Sequence, residues 1–207
     1  MLNKPEDKNI SILTGEYCRL DDIFELENKT IELDLGCGKG SFTTKLARRY
    51  PERMIFAADV MIGRLRKLQK RNDREDVSNI HPLRVEARHL FSMIPDKTLT
   101  RLHILCPDPW PKGRHRANRL LCSDFCAQLH RALKEGGSFH FSTDDVPYHD
   151  IVRRVISASG LFEEQSALPD DLAEIKSDFE IRWNEQGKKV YHILWKAKAN
   201  IKYTSAH

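Results

Sequence analysis

One stretch constrains the fold of this chain more than any other. The run Ile31-Glu32-Leu33-Asp34-Leu35 leads directly into Gly36-Cys37-Gly38-Lys39-Gly40 and then into Ser41 to Tyr50. The first five residues read as a short buried strand. Phe42, Leu46 and Ala47 recur at helical spacing, and Pro51 ends the helix they define. A strand, a glycine loop and a helix N-terminus in immediate succession form the ligand crevice of open α/β sheets. The glycines let backbone approach a ligand closely.

The rest of the chain repeats the alternation. Strands are predicted at Met54 to Asp59, Ile80 to Glu86 (with Pro82 unfavourable at its start), residues 101 to 106, Ser138 to Ser142, a sixth after the turn at Gly160-Leu161-Phe162, and Val190 to Trp195. Helices are predicted at 61 to 72, 118 to 134 and 146 to 158, with Gly136 as a helix stop. This pattern implies an α/β fold: a doubly wound, seven-stranded, mostly parallel sheet with helices on both faces. Residues 1–30 read as an irregular lead-in with at most one short helix, and 167 to 188 carry the weakest pattern. At 207 residues the chain fits one domain spanning 1–207. It is 40% hydrophobic and 31% charged, without an apolar run long enough for a transmembrane helix. The polar start, Met1 to Asn9, does not read as a signal peptide. Five cysteines, an odd number lying largely in apolar segments, point to reduced thiols and a cytoplasmic protein.

Two cofactor classes suit the crevice. A nicotinamide dinucleotide would favour Gly-x-Gly-x-x-Gly, but here the spacing is Gly-x-Gly-x-Gly and Ser41 stands where the third dinucleotide glycine belongs. Asp34, just before the loop, suits a cationic ligand better than a pyrophosphate. S-adenosylmethionine carries an ammonium and a sulfonium, so it is the favoured cofactor. Asp59 would take its ribose hydroxyls, and Glu86 and Ala87 would border its adenine.

A second stretch carries the substrate chemistry: Leu105-Cys106-Pro107-Asp108-Pro109-Trp110-Pro111-Lys112-Gly113-Arg114-His115-Arg116. The prolines hold Asp108 in a stiff turn at the end of a strand. An aromatic plate and a basic run, ending at Arg119, follow it. The net charge of +4 is too small to imply nucleic-acid binding, but the clustering of basic residues at 112–119 is more informative. Cys122 and Cys126, with His115 and His130, have spacing compatible with a metal. Buried free thiols are the ordinary reading, and no metal is expected. Thr143-Asp144 could be a helix N-cap before Val146.

On these residues the chain resembles the tRNA (guanine-N7)-methyltransferases over roughly 30 to 197. The Pro-Asp-Pro-Trp-Pro-Lys stretch is the specific signature. Gly136-Gly137, Thr143-Asp144 with Tyr148, and Ser177-Asp178-Phe179-Glu180 with Gly187 agree in order and spacing. The resemblance implies a class I methyltransferase that moves a methyl group from S-adenosylmethionine to N7 of a tRNA guanine, with the variable loop the suggested position. It implies that Asp34, Gly36, Gly38 and Gly40 form the first cofactor motif. Asp59 is then the ribose acid, Glu86 and Ala87 the adenine-side pair, and Leu105 a backbone contact to the cofactor. Asp108 is the catalytic residue, and Lys112 and Asp144 contact substrate. Ser177 and Glu180 stand for a Thr-x-x-Glu motif near the active site. Departures are Ser177 for Thr, and Gly113, Ala117 and Asn118 where basic residues are common, which removes positive charge from the phosphate-contacting side. The chain also lacks the longer arginine-containing N-terminal extension of many members.

Trp110 would stack on a base, and Lys112, Arg114, His115, Arg116 and Arg119 would meet the RNA. The partner expected is tRNA, with no membrane, the chain being a monomer or homodimer and an accessory subunit left open. Competing readings are a methyltransferase of the same fold acting on another RNA or a small molecule, a non-catalytic RNA- or partner-binding relative, and a nicotinamide-dependent oxidoreductase.

Overall fold

The structure, a computed structural model, describes residues 9–13, 18–109 and 120–199. Eight strands form one sheet: β1 (Ser11–Ile12), β2 (Ile31–Leu35), β3 (Met54–Asp59), β4 (Ile80–Arg84), β5 (Leu99–Leu105), β6 (Leu133–Thr143), β7 (Phe162–Glu164) and β8 (Tyr191–Ala197). The helices are α1 (Ser41–Arg49), α2 (Ile62–Glu75), α3 (Ala87–Met93), α4 (Ser123–Ala132), α5 (Val146–Ala158), α6 (Asp170–Glu174) and α7 (Asp178–Glu185). Strand order is β1-β4-β3-β2-β5-β6-β8-β7. All pairings are parallel except β6 with β8 and β7 with β8. The order reverses between β2 and β5, which opens a crevice beyond their carboxyl ends.

The doubly wound α/β sheet is the one expected, with eight strands in place of seven. The additional strand, β1, has two residues and pairs with Leu83 and Arg84, too short to leave a periodic signal. The lead-in also contains one 3-10 turn at Leu20–Asp22. Pro82 is tolerated in β4 because β1 reaches only its last two residues, so at Pro82 one side of β4 needs no donor. Gly136 is not a helix stop. The helix ends at Ala132, and residues 133–137 bulge within β6, where the register to β5 slips between Leu99 and Arg101.

Two apolar clusters line the faces of the sheet. One holds Leu90, Phe91, Phe125, Leu129, Val152 and Ile156 from α3, α4 and α5. The other holds Phe42, Leu46, Leu65, Leu68 and Leu172 from α1, α2 and α6. Strands β2 and β3 are buried along their whole length, as strands covered on both faces must be. Among the described residues no helix is long and apolar enough to cross a membrane.

Candidate functional site

The glycine loop hangs from the end of β3. Gly36 and Cys37 donate their N–H groups to the Ala58 carbonyl at 2.8 and 3.1 Å, and Gly38 donates to Asp59 Oδ2 at 3.1 Å. Gly36 and Gly38 have φ of 81° and 57°, and open space surrounds the position a Cβ would take. They present bare backbone to the crevice. Gly40 serves otherwise. Its φ is 75°, and a Cβ there would lie 2.0 Å from Leu68 Cδ1. Gly40 sets the close approach of α1 to α2 and lies outside the crevice lining.

Two lobes open around Leu105 and Cys106. The first, about 350 Å³, is lined by Asp34, Gly36, Gly38, Ser41, Phe42, Arg64 and the 177–179 segment with Arg182. The second, about 320 Å³, is lined by Asp59, Val60, Val85, Ala87, Pro107, Asp108 and Leu120. Asp34 is 2% exposed and accepts a 2.5 Å hydrogen bond from the Thr43 hydroxyl. Burial pushes its carboxyl up from 3.8 to about 6, against the opposing pull of the Thr43 hydrogen bond and of His103. A buried carboxylate whose hydrogen-bond donor is neutral gains from an approaching cation.

Asp59 accepts from Gly38 N, from Met61 N at 2.8 Å and from Arg64 at 3.4 Å. It ties the loop to the start of α2 while still lining the second lobe. A carboxylate has about four lone-pair sites, which leaves capacity for a hydroxyl. Glu86 caps α3 by accepting from His89 N at 3.1 Å, and it is exposed. Ala87, not Glu86, lines the lobe.

Asp108 is exposed, on the turn that follows β5, and lines the second lobe together with Asp59. The turn begins at Cys106, whose φ of 47° is left-handed. Non-glycine residues adopt that region at a cost, and such positions cluster at functional sites. Cys106 N donates to the Ser142 carbonyl at 2.8 Å, which fixes the kink. Its thiol is pushed up to about 12 by burial, despite the Ser142 hydroxyl nearby, so it is not a nucleophile.

The segment with the weakest sequence pattern closes the first lobe. Ser177 caps α7, its hydroxyl accepting from Glu180 N at 3.1 Å. Asp178 N donates to Ser41 Oγ at 2.8 Å, and the Asp178 carboxylate pairs with Arg71 at 2.7 Å. Asp144 is exposed and accepts from Trp183 Nε1 at 2.6 Å. The cap of α5 is the next residue, Asp145, which accepts from Tyr148 N at 2.7 Å, so Asp144 is not a capping group. Glu180 is 8% exposed.

Arg64, Val85 and Arg182 line the crevice without having been expected as site residues, and Phe179 was named only within a motif, with no role of its own. Phe179 stacks on Trp183 with centroids 4.3 Å apart. Only the Ser-Asp-Phe-Glu stretch pointed near them. His130 faces the Lys198 carbonyl at 2.9 Å, and Cys126 donates to the Cys122 carbonyl. Trp110, Lys112, Arg114, His115, Arg116 and Arg119 lie outside the described residues.

Residues 28–193 match the family model described as "Putative methyltransferase". The chain is 31% identical over 174 residues to the tRNA (guanine-N(7)-)-methyltransferase of Thermotoga maritima, covering 84% of this chain and 55% of that one. It is 35% identical over 168 residues to the enzyme of the same name from Neisseria meningitidis serogroup B, covering 79% of this chain and 68% of that one. The chain thus spans little more than half the length of the Thermotoga maritima relative, and likewise 56% of the Thermus thermophilus one. Among solved structures, the 16S rRNA methyltransferase KamB superposes with a TM-score of 0.63 at 16% identity, covering 88% of this chain and 95% of that one. That likeness shows the class I methyltransferase fold. The strand-loop-helix crevice, the Asp108 turn and the matched relatives converge on one assignment: the chain belongs to the tRNA (guanine-N(7)-)-methyltransferase family.

Proposed function

We propose that this chain transfers the methyl group of S-adenosylmethionine to N7 of a guanine in tRNA, in the variable loop. The observation that carries the reading is that Asp59, Ala87 and Asp108 line one lobe, which adjoins the lobe of Asp34 and the glycine loop across Leu105 and Cys106. That arrangement sets a cofactor cradle beside a fixed, solvent-facing carboxylate.

The donor set fits S-adenosylmethionine. Asp34 is a buried acid suited to a cationic end, Asp59 keeps lone pairs for ribose hydroxyls, Val85 and Ala87 offer an apolar border for adenine, and the backbone at Gly36, Gly38 and Leu105 is open to close approach. The cofactor, when bound, supplies an electrophilic methyl carbon on a sulfonium. Guanine N7 has an in-plane lone pair and needs no proton removed first. The protein's task is to align N7 with that carbon, an effect that can lower a barrier by about 7–11 kcal/mol. As N7 takes the methyl group the purine becomes cationic, and the Asp108 carboxylate stabilises that charge and orients the base edge. The basic residues Lys112, Arg114, Arg116 and Arg119 meet phosphate, His115 contacts the RNA beside them, and Trp110 supplies a stacking face. Asp144, Ser177 and Glu180 hydrogen-bond base edges or orient basic side chains. The reading extends to a single methyltransferase domain working in the cytoplasm, in keeping with five free cysteines.

The test is methyl transfer from labelled S-adenosylmethionine to unmodified tRNA transcripts, with nucleoside mass spectrometry. N7-methylguanosine is expected, and Asp108→Asn should retain cofactor binding while losing most turnover. Unchanged turnover in that variant removes Asp108 from the chemistry. Absence of N7-methylguanosine on every transcript overturns the substrate.

A further inference from the structure

Helix α2 carries as much net charge as the whole chain. Arg64, Arg66, Lys67, Lys70, Arg71 and Arg74 stand against Asp73 and Glu75, which leaves this one helix at the +4 to which all 207 residues sum. Its inner face is fixed by Leu65, Leu68 and Asn72, all buried. Arg64, Lys67, Arg71 and Arg74 follow one another at three- and four-residue spacing, so they form a single stripe outside that buried face, with Lys70 beside it. Ten residues of helix make the stripe about 15 Å long. It starts in the crevice, because Arg64 lines both lobes. Lys39 of the glycine loop, exposed in the wall of the first lobe, adds a further cation at that end.

Neighbouring acids cover the stripe only in part. Asp59 meets Arg64 at 3.4 Å, but half of that arginine side chain is exposed. From α7, Asp178 takes Arg71 at 2.7 Å and is shared with Lys45 of α1. Glu75 lies 3.3 Å from Arg74 and 3.4 Å from Arg48. Asp73 accepts from Gln69, and Glu174 of α6 pairs with Arg49. Among the described residues no carboxylate pairs with Lys67 or Lys70, both exposed at the middle of the stripe.

The helix gains nothing from this arrangement. Like charges three and four residues apart repel along a helix face. The helix dipole favours acids in the first turn and bases in the last. Here the first turn holds no acid and contains Arg64, while both acids of the helix, Asp73 and Glu75, sit in its last turn. Met61 at the N-cap supplies no side-chain acceptor. Local rules broken together without a structural return are expected where a surface serves a ligand.

We propose that the stripe is a phosphate rail: Arg64, Lys67, Lys70 and Arg74 receive backbone phosphates of the tRNA and lead it to the crevice at Arg64. The rail is separate from the basic run at 112–119, and it rests on the reading of tRNA as the substrate. A small anion would be held by donors that converge on one point. These cations are strung along three turns of helix, which suits a polymer of evenly spaced charges. Such a polymer relieves the repulsion along the stripe and releases its own counterions on binding. Contacts of this kind fix the position of the RNA and read no sequence.

Binding of unmodified tRNA transcripts, measured by filter retention from about 50 to 200 mM salt, tests the rail without methyl transfer. Lys67→Gln/Lys70→Gln should lower the slope of log affinity against log salt by about 1.5 and weaken binding about tenfold at about 0.1 M salt. The same variant should melt slightly higher than wild type, since two mutually repelling cations leave an exposed face. Both lysines stand outside the two lobes, so affinity for S-adenosylmethionine by calorimetry should not change. Arg153→Gln/Arg154→Gln removes equal charge from α5, on the opposite face of the sheet, and should leave the slope at its wild-type value. An unchanged slope in Lys67→Gln/Lys70→Gln overturns the rail. So does an equal fall in both double variants, because net charge alone would then be acting. If tRNA binds through the rail and no N7-methylguanosine forms, the rail stands and the proposed activity fails. If N7-methylguanosine forms and the slope is unchanged, the activity stands and the rail fails.

Discussion

Asp34 makes the free protein less stable at neutral pH, and the cost can be worked from its surroundings. Its carboxyl is raised from 3.8 to about 6 by burial. A group whose acid is weakened on folding contributes most below its unfolded value, and that contribution is lost as pH rises through the folded one. The difference in pKa corresponds to about 3 kcal/mol once both states are ionised. Asp34→Asn keeps an acceptor for the Thr43 hydroxyl and carries no charge. It should therefore stabilise the protein by about 1.6 kcal/mol at pH 5 and about 3 kcal/mol at pH 8, the increment accruing mainly up to pH 6. Urea denaturation of both proteins across this range reads the difference directly. A cationic ligand beside the carboxylate reverses the preference, so wild-type affinity for S-adenosylmethionine should fall as pH drops below about 6, approaching tenfold per unit. Asp34→Asn should bind weakly and without that dependence by calorimetry. A stability difference that does not change between pH 5 and 8 would refute the argument, because it would mean Asp34 ionises in the fold at no cost.

Other sites give independent tests. Gly40→Ala forces a left-handed alanine and drives its Cβ into Leu68, so a loss of about 2–5 kcal/mol is expected in urea unfolding, and a change under about 0.5 kcal/mol contradicts the packing role. Asp171 is pushed up by burial but held below the usual carboxylate range overall by Arg101 and by the Tyr50 hydroxyl, which donates at 2.8 Å. Asp171→Ala leaves the half-buried Arg101 guanidinium without its Asp171 partner and should cost about 3 kcal/mol at pH 7. The penalty should shrink as pH falls toward 3, since a depressed acid loses its contribution on protonation. Trp183→Phe removes the donor to Asp144 but keeps the ring on Phe179. It should raise KM for tRNA several-fold with little change in melting temperature, and an unchanged KM would separate Asp144 from substrate.

The legible parts of this fold were those set by local pattern. Strands β2 and β3 and helix α5 have the predicted bounds, because a buried apolar run and a 3.6-residue stripe are written in adjacent residues. Helix α3 was missed because seven residues starting directly after a predicted strand give less than two turns of periodicity. Helices α6 and α7 were missed because each is short and is held by tertiary links, such as Arg49 to Glu174 and Asp178 to Ser41, rather than by a long apolar face. The crevice itself could be read because Asp34 and Asp59 sit near strand ends beside a glycine loop. Arg64, Phe179 and Arg182 could not, because their arrival in the crevice depends on how α2 and α7 dock.

The run of side-chain contacts from Glu32 through His103, His140 and His192 to Glu180 shows the same limit from the other side. Nothing in the spacing of residues 32, 103, 140, 180 and 192 links them. They meet because β2, β5, β6 and β8 are consecutive in the sheet, although far apart in the chain, and because side chains at paired positions emerge on the same face. A one-residue slip of β6 would turn His140 to the opposite face and break both of its ring contacts, to His103 and to His192, at once. The bulge at residues 133–137 sets that register: without it, the pairing that starts at Leu99 and Leu133 would set Arg101 against Glu135 instead of Ser138. The Gly136-Gly137 pair thus acts on the site from the opposite end of the strand. Gly136 takes the left-handed turn, and Gly137 has backbone 2.8 Å from where a Cβ would stand, so neither position accepts a side chain without shifting β6. Gly137→Ala should consequently disturb the His140 ring contacts with His103 and His192 as well as stability, seen as shifted histidine ring ¹⁵N signals, a coupling that a purely local effect of the bulge would not produce.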